Sequence, residues 1–523
     1  MAERIKIAIV GGGTAGWMTA AALAGIATDK ICELTLVESE AIGTVGVGEA
    51  TIPAIKEFND RLGIPETEML QQAMATFKLG IEFHGWGKPD TSYIHPFGTF
   101  GQPIAGTDFH QQWLRFFSDS TLRESAGLPQ QLPPLEAYSL AVQMCRAGKF
   151  DFPRASAGSA PDPIESSYAY AYHFDAGLYA RYLRDYAEQR GVRRIEGRIH
   201  NVSQDPHSGD IQTLHLESGQ QISADYFIDC SGFRSLLLGQ TLGVAYQSWK
   251  HWLPCDSAVA MPSALDATLP PVTRSTAKPA GWQWRIPLQH RCGNGFVYQS
   301  SLISDDEAAD ALASSLTTPA IGDPRIIRFE AGKRACSWHK NCIAVGLAAG
   351  FLEPLESTSI YLIQAAIVNF LKLLPGPTPQ TNPQPQLARE FNRLLDLEYE
   401  RARDFIILHY HLNPRTDSEL WRHCQSMPVP DELRLRIDAF RKRGFIEQYR
   451  HGLFAPPSWL SVFKGQGLVP QHVEPLANQV DPRKVAQTLN ALEQTIRQQV
   501  AAMPSSAEFI RRLCAMPAEE VLP

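Results

Sequence analysis

The chain has no CxxC pair, no basic excess, no long apolar run and no second dinucleotide fingerprint, and each absence removes a class of function. Its nine cysteines (32, 145, 230, 255, 292, 336, 342, 424 and 514) are odd in number and scattered. That argues against a zinc site or a disulfide framework and for reduced thiols, hence a cytoplasmic protein. Basic residues number 48 against 55 acidic ones, a net charge of −7. Without a basic surplus nothing holds a phosphate backbone, so nucleic acid is not an expected partner. No stretch is apolar for the length a membrane-spanning helix needs, and no membrane partner is expected. The first residues, MAERIKIAIVGGG, pass from a very short apolar segment straight into glycines. They read as an opening strand, not a signal peptide. We find no internal repeats.

What is present fits a soluble globular protein: 523 residues, 44% hydrophobic and 20% charged. That length suggests roughly two to four domains or interleaved modules. Ten tryptophans and 24 phenylalanines suit aromatic-lined pockets and core alike. Breaks rich in Pro, Ser and Thr are expected at 128–134, 151–163, 264–280 and 375–386. The last has five prolines in 12 residues and cannot be helical throughout. Beyond it Leu387, Phe391, Leu394, Leu395 and Ala402 keep helical spacing, and from Gln471 onward the chain reads as helical cover. His409 and His411, two apart in this helix, point to different sides, so no metal site is expected.

The N-terminal stretch carries chemistry. Ile5–Val10, IKIAIV, reads as a buried parallel strand. Gly11, Gly13 and Gly16 follow as GxGxxG, a helix continues through Met18–Leu23, and CELTLVESE is a second strand ending at Glu38, 22 residues beyond Gly16. The glycines allow the turn and a close backbone approach, the helix N-terminus suits a pyrophosphate, and the carboxylate suits ribose hydroxyls. This predicts dinucleotide binding. Asp225–Gly239 (a strand and a small-residue turn), Asn341–Leu374 (a strand, a glycine-spaced loop and a long apolar helix) and the helix Gly177–Val192 resemble the later motifs of FAD-dependent monooxygenase-like proteins. With no second GxGxxG for a nicotinamide domain, FAD is expected, with electrons supplied from elsewhere.

Two short stretches narrow the reading. In TFKLGIEFHGWG, Thr76–Gly87, Lys78 sits among apolar residues, where an ammonium group is costly unless paired; taken alone it reads as a snorkelling surface lysine. In GWQWRIP, Gly281–Pro287, Trp282 and Trp284 face the same side of a strand, and alone they read as core. Together with VGVGEATIP (Val45–Pro53) and FLEPLEST (Phe351–Thr358), these stretches resemble the flavin-dependent halogenases of the tryptophan-halogenase-like family, from Ile5 to about Pro470.

The resemblance implies an α/β fold: an FAD-binding Rossmann-type, flavin monooxygenase-like module with an interleaved, mainly helical substrate module. The expected division is 1–374, with inserted pocket segments at about 88–165, and a mainly helical part at 387–523. It implies that reduced FAD, dioxygen and chloride or bromide give hypohalous acid, which substitutes an electron-rich arene. A separate NAD(P)H-dependent flavin reductase supplies the reduced FAD, and the family includes homodimers. Lys78 matches the lysine that takes the hypohalous acid, by hydrogen bonding or as a haloamine; burial would lower its pKa. Glu356 matches the catalytic glutamate, and Ser357 would orient the pair. The amides of Thr358 and Ser359 match the halide cradle at a helix N-terminus; Ser359 stands where relatives carry glycine. Carried-over flavin contacts are Gly11, Gly13, Thr14, Ala15, Gly16, Glu38, Ala50, Leu347 and Ile360. Trp282 and Trp284 would line the passage from flavin to substrate, and His95 and Phe97 in YIHPFG would sandwich an indole ring.

The segment Arg441–Pro470 is where the resemblance weakens. It is shorter than in tryptophan halogenases and lacks the tyrosine pair that holds the amino acid's charged groups. A more open pocket for indole or another electron-rich aromatic is therefore expected, with free tryptophan a poor substrate. The alternatives are an FAD-dependent aromatic hydroxylase on the same fold, which would work without halide or Lys78, and a non-catalytic flavin-binding protein.

Overall fold

A computed structural model describes residues 4–26, 31–41, 48–155, 163–374, 385–449 and 452–515. Val45–Val47, the start of one family motif, lie outside the described residues, as do 156–162 and 375–384 within two of the expected breaks. The first strand, Ile5–Val10, is flanked by parallel strands Tyr226–Asp229 and Cys32–Glu38. Arg193–Glu196 extends the sheet beyond Cys32–Glu38, and Cys342–Ala344 beyond Tyr226–Asp229, both parallel. A short antiparallel strand, Trp338–His339, closes one edge. Helices cover the sheet, so its central strands carry the continuous apolar run that a parallel sheet buried on both faces requires. Thr14–Ile26 packs beside Ala176–Glu188 on one face.

The tight approach of strand to helix depends on two glycines. Gly11 has φ +115°, and a Cβ there would meet the Cys230 carbonyl oxygen at 2.3 Å; a Cβ on Gly16 would meet the Gly11 carbonyl oxygen at 1.8 Å. Any side chain would push the first helix off the strand ends.

A second, seven-stranded sheet runs in the order Arg325–Arg328, Ser257–Ser263, Cys292–Tyr298, Gly281–Pro287, Thr273–Lys278, Gly80–His84, Ser92–Pro96. All neighbours are antiparallel except Thr273–Lys278 with Gly80–His84. A small sheet pairs Gly48–Ala50, Ala171–Asp175 and Thr76–Lys78. It sets Lys78 opposite Ala171.

The expected break at 264–280 is overturned in part: Thr273–Lys278 is a strand. Its side chains alternate between buried (Thr273, Ser275, Ala277) and more exposed (Arg274, Thr276, Lys278), a period of two that the polar composition conceals. The long helix Pro385–Leu412 begins on a proline, which the first helical turn tolerates. It buries Phe391, Leu395 and Ala402 and ends against Glu419–Ser426. Pro482–Ala502 and Ser506–Ala515 cover the remaining side. One apolar cluster reaches from Ile5 to Leu513. Among the described residues no helix is long and apolar enough to cross a membrane.

Candidate active site

A cavity of ≈ 790 Å³ opens at the C-terminal ends of the parallel strands and continues under the seven-stranded sheet. Gly11, Gly13, Thr14, Ala15 and Glu38 line one end. Ala50, Leu347 and Ile360 line it as well, as do Trp282, Trp284, Ser357 and Ser359. Gly16 is not in the lining; its part is the close packing described above.

The phosphate end fits a dinucleotide. The helix Thr14–Ile26 presents its free N-terminal amides there. The Glu38 carboxylate lies so close to the turn that a Cβ on Gly12 would land on it. Its other oxygen accepts from Arg194 Nε at 2.5 Å, with Arg184 at 3.8 Å. The residues present thus suit FAD: an anion site, a ribose-binding acid and a long apolar continuation.

Trp282 and Trp284 have ring centroids 6.2 Å apart. Trp282 Nε1 donates to Glu353 at 3.0 Å, and Tyr410 OH donates to the same oxygen at 2.5 Å. Burial raises the Glu353 carboxyl to about 7, against the lowering effect of these two bonds.

Beyond Ser357 stands a buried polar group. Lys78, His95 and Glu356 are 0%, 2% and 1% exposed. Lys78 Nζ donates to Ser357 Oγ at 2.7 Å and to the Thr51 carbonyl at 2.9 Å, and lies 5.1 Å from the Phe97 ring centroid. It does not snorkel. Burial lowers Lys78 from 10.5 to about 7, while the negative charge of Glu356 works to raise it.

Glu356 is gripped on both oxygens. His95 Nδ1 lies 2.8 Å from one, and His409 Nε2 lies 2.6 Å from the other, the second contact not aligned as a straight hydrogen bond. Burial would raise this carboxyl; His95 and His409 override it and hold it near 2.

Ser357 has φ +59°, a left-handed conformation uncommon for a residue with a Cβ. It turns the chain from the short helical turn Pro354–Glu356 into the helix Ser359–Lys372. The strain sits at Ser357 and not at Ser359, whose φ is not positive, so serine is tolerated where relatives carry glycine. Thr358 is buried and its Oγ1 has no partner. With the free amides at this helix start, it offers a further donor to an anion.

The structure therefore brings Lys78, Glu356, Ser357, Thr358, Ser359, His95 and Phe97 together at the end of the cavity lined by Trp282 and Trp284. It also adds a residue that the sequence considered only as a metal ligand. His409, set aside in the sequence, faces Glu356, while His411 turns away to the Cys424 carbonyl; the i, i+2 divergence is real but says nothing about what lies opposite. Phe454, in the shorter segment, is buried, stacks on Phe405 at 3.9 Å and lies 6.1 Å from the His95 ring. Thr51 and Glu353, also missed, lie inside the motifs already quoted.

The tryptophan halogenase family model matches residues 6–482. Tryptophan 6-halogenase SttH of Streptomyces toxytricini is 35% identical over 96% of this chain and 97% of its own. Tryptophan 7-halogenase RebH of Lentzea aerocolonigenes is 33% identical over 97% and 98%. The solved structure of BrvH, a flavin-dependent halogenase from Brevundimonas sp. BAL3, superposes with a TM-score of 0.90 at 43% identity, covering 98% of this chain and 99% of that one. With a nucleotide-type cavity lined by two tryptophans and by Ser357, to which a buried lysine is hydrogen-bonded, the chain belongs to the tryptophan halogenase family and is a flavin-dependent halogenase, an oxidoreductase.

Proposed function

We propose that this enzyme chlorinates or brominates indole or another electron-rich aromatic, in preference to free tryptophan, with Lys78 and Glu356 as its catalytic pair. The observation that carries this reading is the buried Lys78 amine, one hydrogen bond from Ser357 and so from the cavity that Trp282 and Trp284 line. Reduced FAD and dioxygen, when present, supply the oxidising equivalent that turns halide into hypohalous acid. Gly11, Gly13, Thr14, Ala15 and Glu38 would hold the dinucleotide, with Ala50, Leu347 and Ile360 along its apolar part. Thr358 and Ser359 would hold the halide at the helix N-terminus. Trp282 and Trp284 keep the substrate away from the flavin.

Lys78 receives hypohalous acid either as a hydrogen-bond donor or, through its neutral amine, as a haloamine with loss of water. A pKa near 7 makes both forms available. The halogen then replaces an arene hydrogen, and the Glu356 carboxylate stabilises the cationic ring or takes its proton. Phe97, Phe405 and Phe454 around His95 suit an uncharged ring and offer nothing to a zwitterion. The unpaired cysteines and the single dinucleotide motif support a cytoplasmic enzyme served by a separate NAD(P)H-dependent flavin reductase.

The test supplies FAD, a flavin reductase, NADH and bromide or chloride, and compares indole with tryptophan by mass spectrometry. Halogenated indole is expected, and Lys78→Ala should abolish it while reduced flavin still consumes oxygen. Efficient tryptophan halogenation with indole untouched overturns the substrate assignment. Hydroxylated product without halide overturns the reaction.

A further inference from the structure

Consecutive residues of the helix Pro385–Leu412 reach two glutamates three positions apart. Tyr410 holds Glu353 and His409 meets Glu356. His409 is fully buried, and its ring stacks on Phe83 with centroids 4.4 Å apart. Its second nitrogen is also engaged. Tyr93 OH lies 3.1 Å from Nδ1, and Gln466 Nε2 donates to Tyr93 OH at 3.2 Å and to the His409 carbonyl at 2.9 Å.

These contacts run in one direction. Gln466 is the donor to the Tyr93 oxygen, so the tyrosine proton is left for His409 Nδ1, and an imidazole accepting at Nδ1 carries its proton on Nε2. Nε2 lies 2.6 Å from Glu356 Oε1, its N–H off the line to that oxygen. His95 Nδ1 lies 2.8 Å from the other oxygen, so the carboxylate is held between two imidazoles. Neither Tyr93 nor Gln466 is part of the lysine–glutamate pair, and both lie far from Glu356 in sequence.

We propose that His409 is a positioning residue for halogen transfer: set by Tyr93 and Gln466, it holds its Nε2 edge against Glu356 and, with His95, fixes the carboxylate's place beside Lys78. This rests on the role proposed above for Glu356. Formation of hypohalous acid does not pass through this chain of contacts. Loss of His409 should therefore uncouple the two half-reactions, leaving oxidant made but not transferred.

The experiment uses the full chain with FAD, reductase, NADH, bromide and indole. Hypobromous acid is measured separately without indole, by bromination of a dimedone-type trap. His409→Leu should lower kcat for bromoindole roughly 10- to 100-fold, the range for a hydrogen bond to a buried charge, with KM and the trap reaction unchanged. His409→Gln should recover much of the rate, because its amide can donate to Glu356 and accept from Tyr93. Tyr93→Phe, a smaller perturbation of packing, should lower kcat in the same direction. Wild-type kcat in His409→Leu, no rescue by His409→Gln, or parallel loss of trap bromination and thermal stability would each overturn the inference. Wild-type bromoindole formation by Glu356→Gln would instead overturn the role assigned to that glutamate.

Discussion

Lys78 and Ser357 lie 279 residues apart in the chain, and the lysine amine donates a 2.7 Å hydrogen bond to the serine hydroxyl. The contact joins the small sheet holding Lys78 to the strained turn that opens the helix Ser359–Lys372. It is also where the cavity's lining meets the buried polar group.

The depressed pKa of Lys78 leaves a signature in stability. Unfolded, the amine keeps its proton up to about 10.5; folded, it releases it at about 7. Between these values the unfolded chain binds more protons, so this group makes stability rise with pH. Lys78→Met lacks the titration. The melting difference between the two proteins should therefore shift in favour of wild type from neutral toward alkaline pH, by on the order of a few kcal/mol across the window. A constant difference would contradict the burial argument.

Glu353 carries the opposite sign. Its carboxyl titrates at 4.5 unfolded and about 7 folded, so in that window the folded state holds the extra proton and stability falls as pH rises. Glu353→Gln keeps a neutral acceptor for Trp282 and Tyr410 and does not titrate. Calorimetry should find it no more stable than wild type at acidic pH and more stable above neutrality.

At the nucleotide end, Glu38→Ala removes the acid proposed to accept from ribose hydroxyls. FAD affinity, read from flavin fluorescence, should fall about tenfold for the loss of hydrogen bonds to a charged acceptor. Unchanged affinity would mean that Glu38 serves only Arg194.

The ring beside His95 predicts a gain. Phe454 packs on Phe405 and stands beside His95. Phe454→Leu should lower KM for arenes larger than indole while leaving hypohalous acid formation unchanged. Equal KM values for large and small arenes in both proteins would show that Phe454 does not limit entry.

Local pattern carried much of the fold. The opening strand, the glycine turn and the acid-ended second strand are contiguous, and each has a steric or electrostatic demand that few residue types meet. The long helix after the proline-rich stretch showed in the spacing of Phe391, Leu395 and Ala402. The strand at Thr273–Lys278 was hidden, because Thr, Ser and Lys there resemble a loop and only pairing with Gly80–His84 and Gly281–Pro287 makes the alternation meaningful.

By itself the sequence determined the nucleotide turn and the presence of Lys78, Glu356 and the paired tryptophans in recognisable settings, because those are properties of short segments. The placing of His409 against Glu356, of Tyr93 and Gln466 behind it, and of Phe454 beside His95 came from packing of the whole chain. Helical spacing says which side of a helix a residue takes; what lies opposite is chosen by packing among segments hundreds of residues apart.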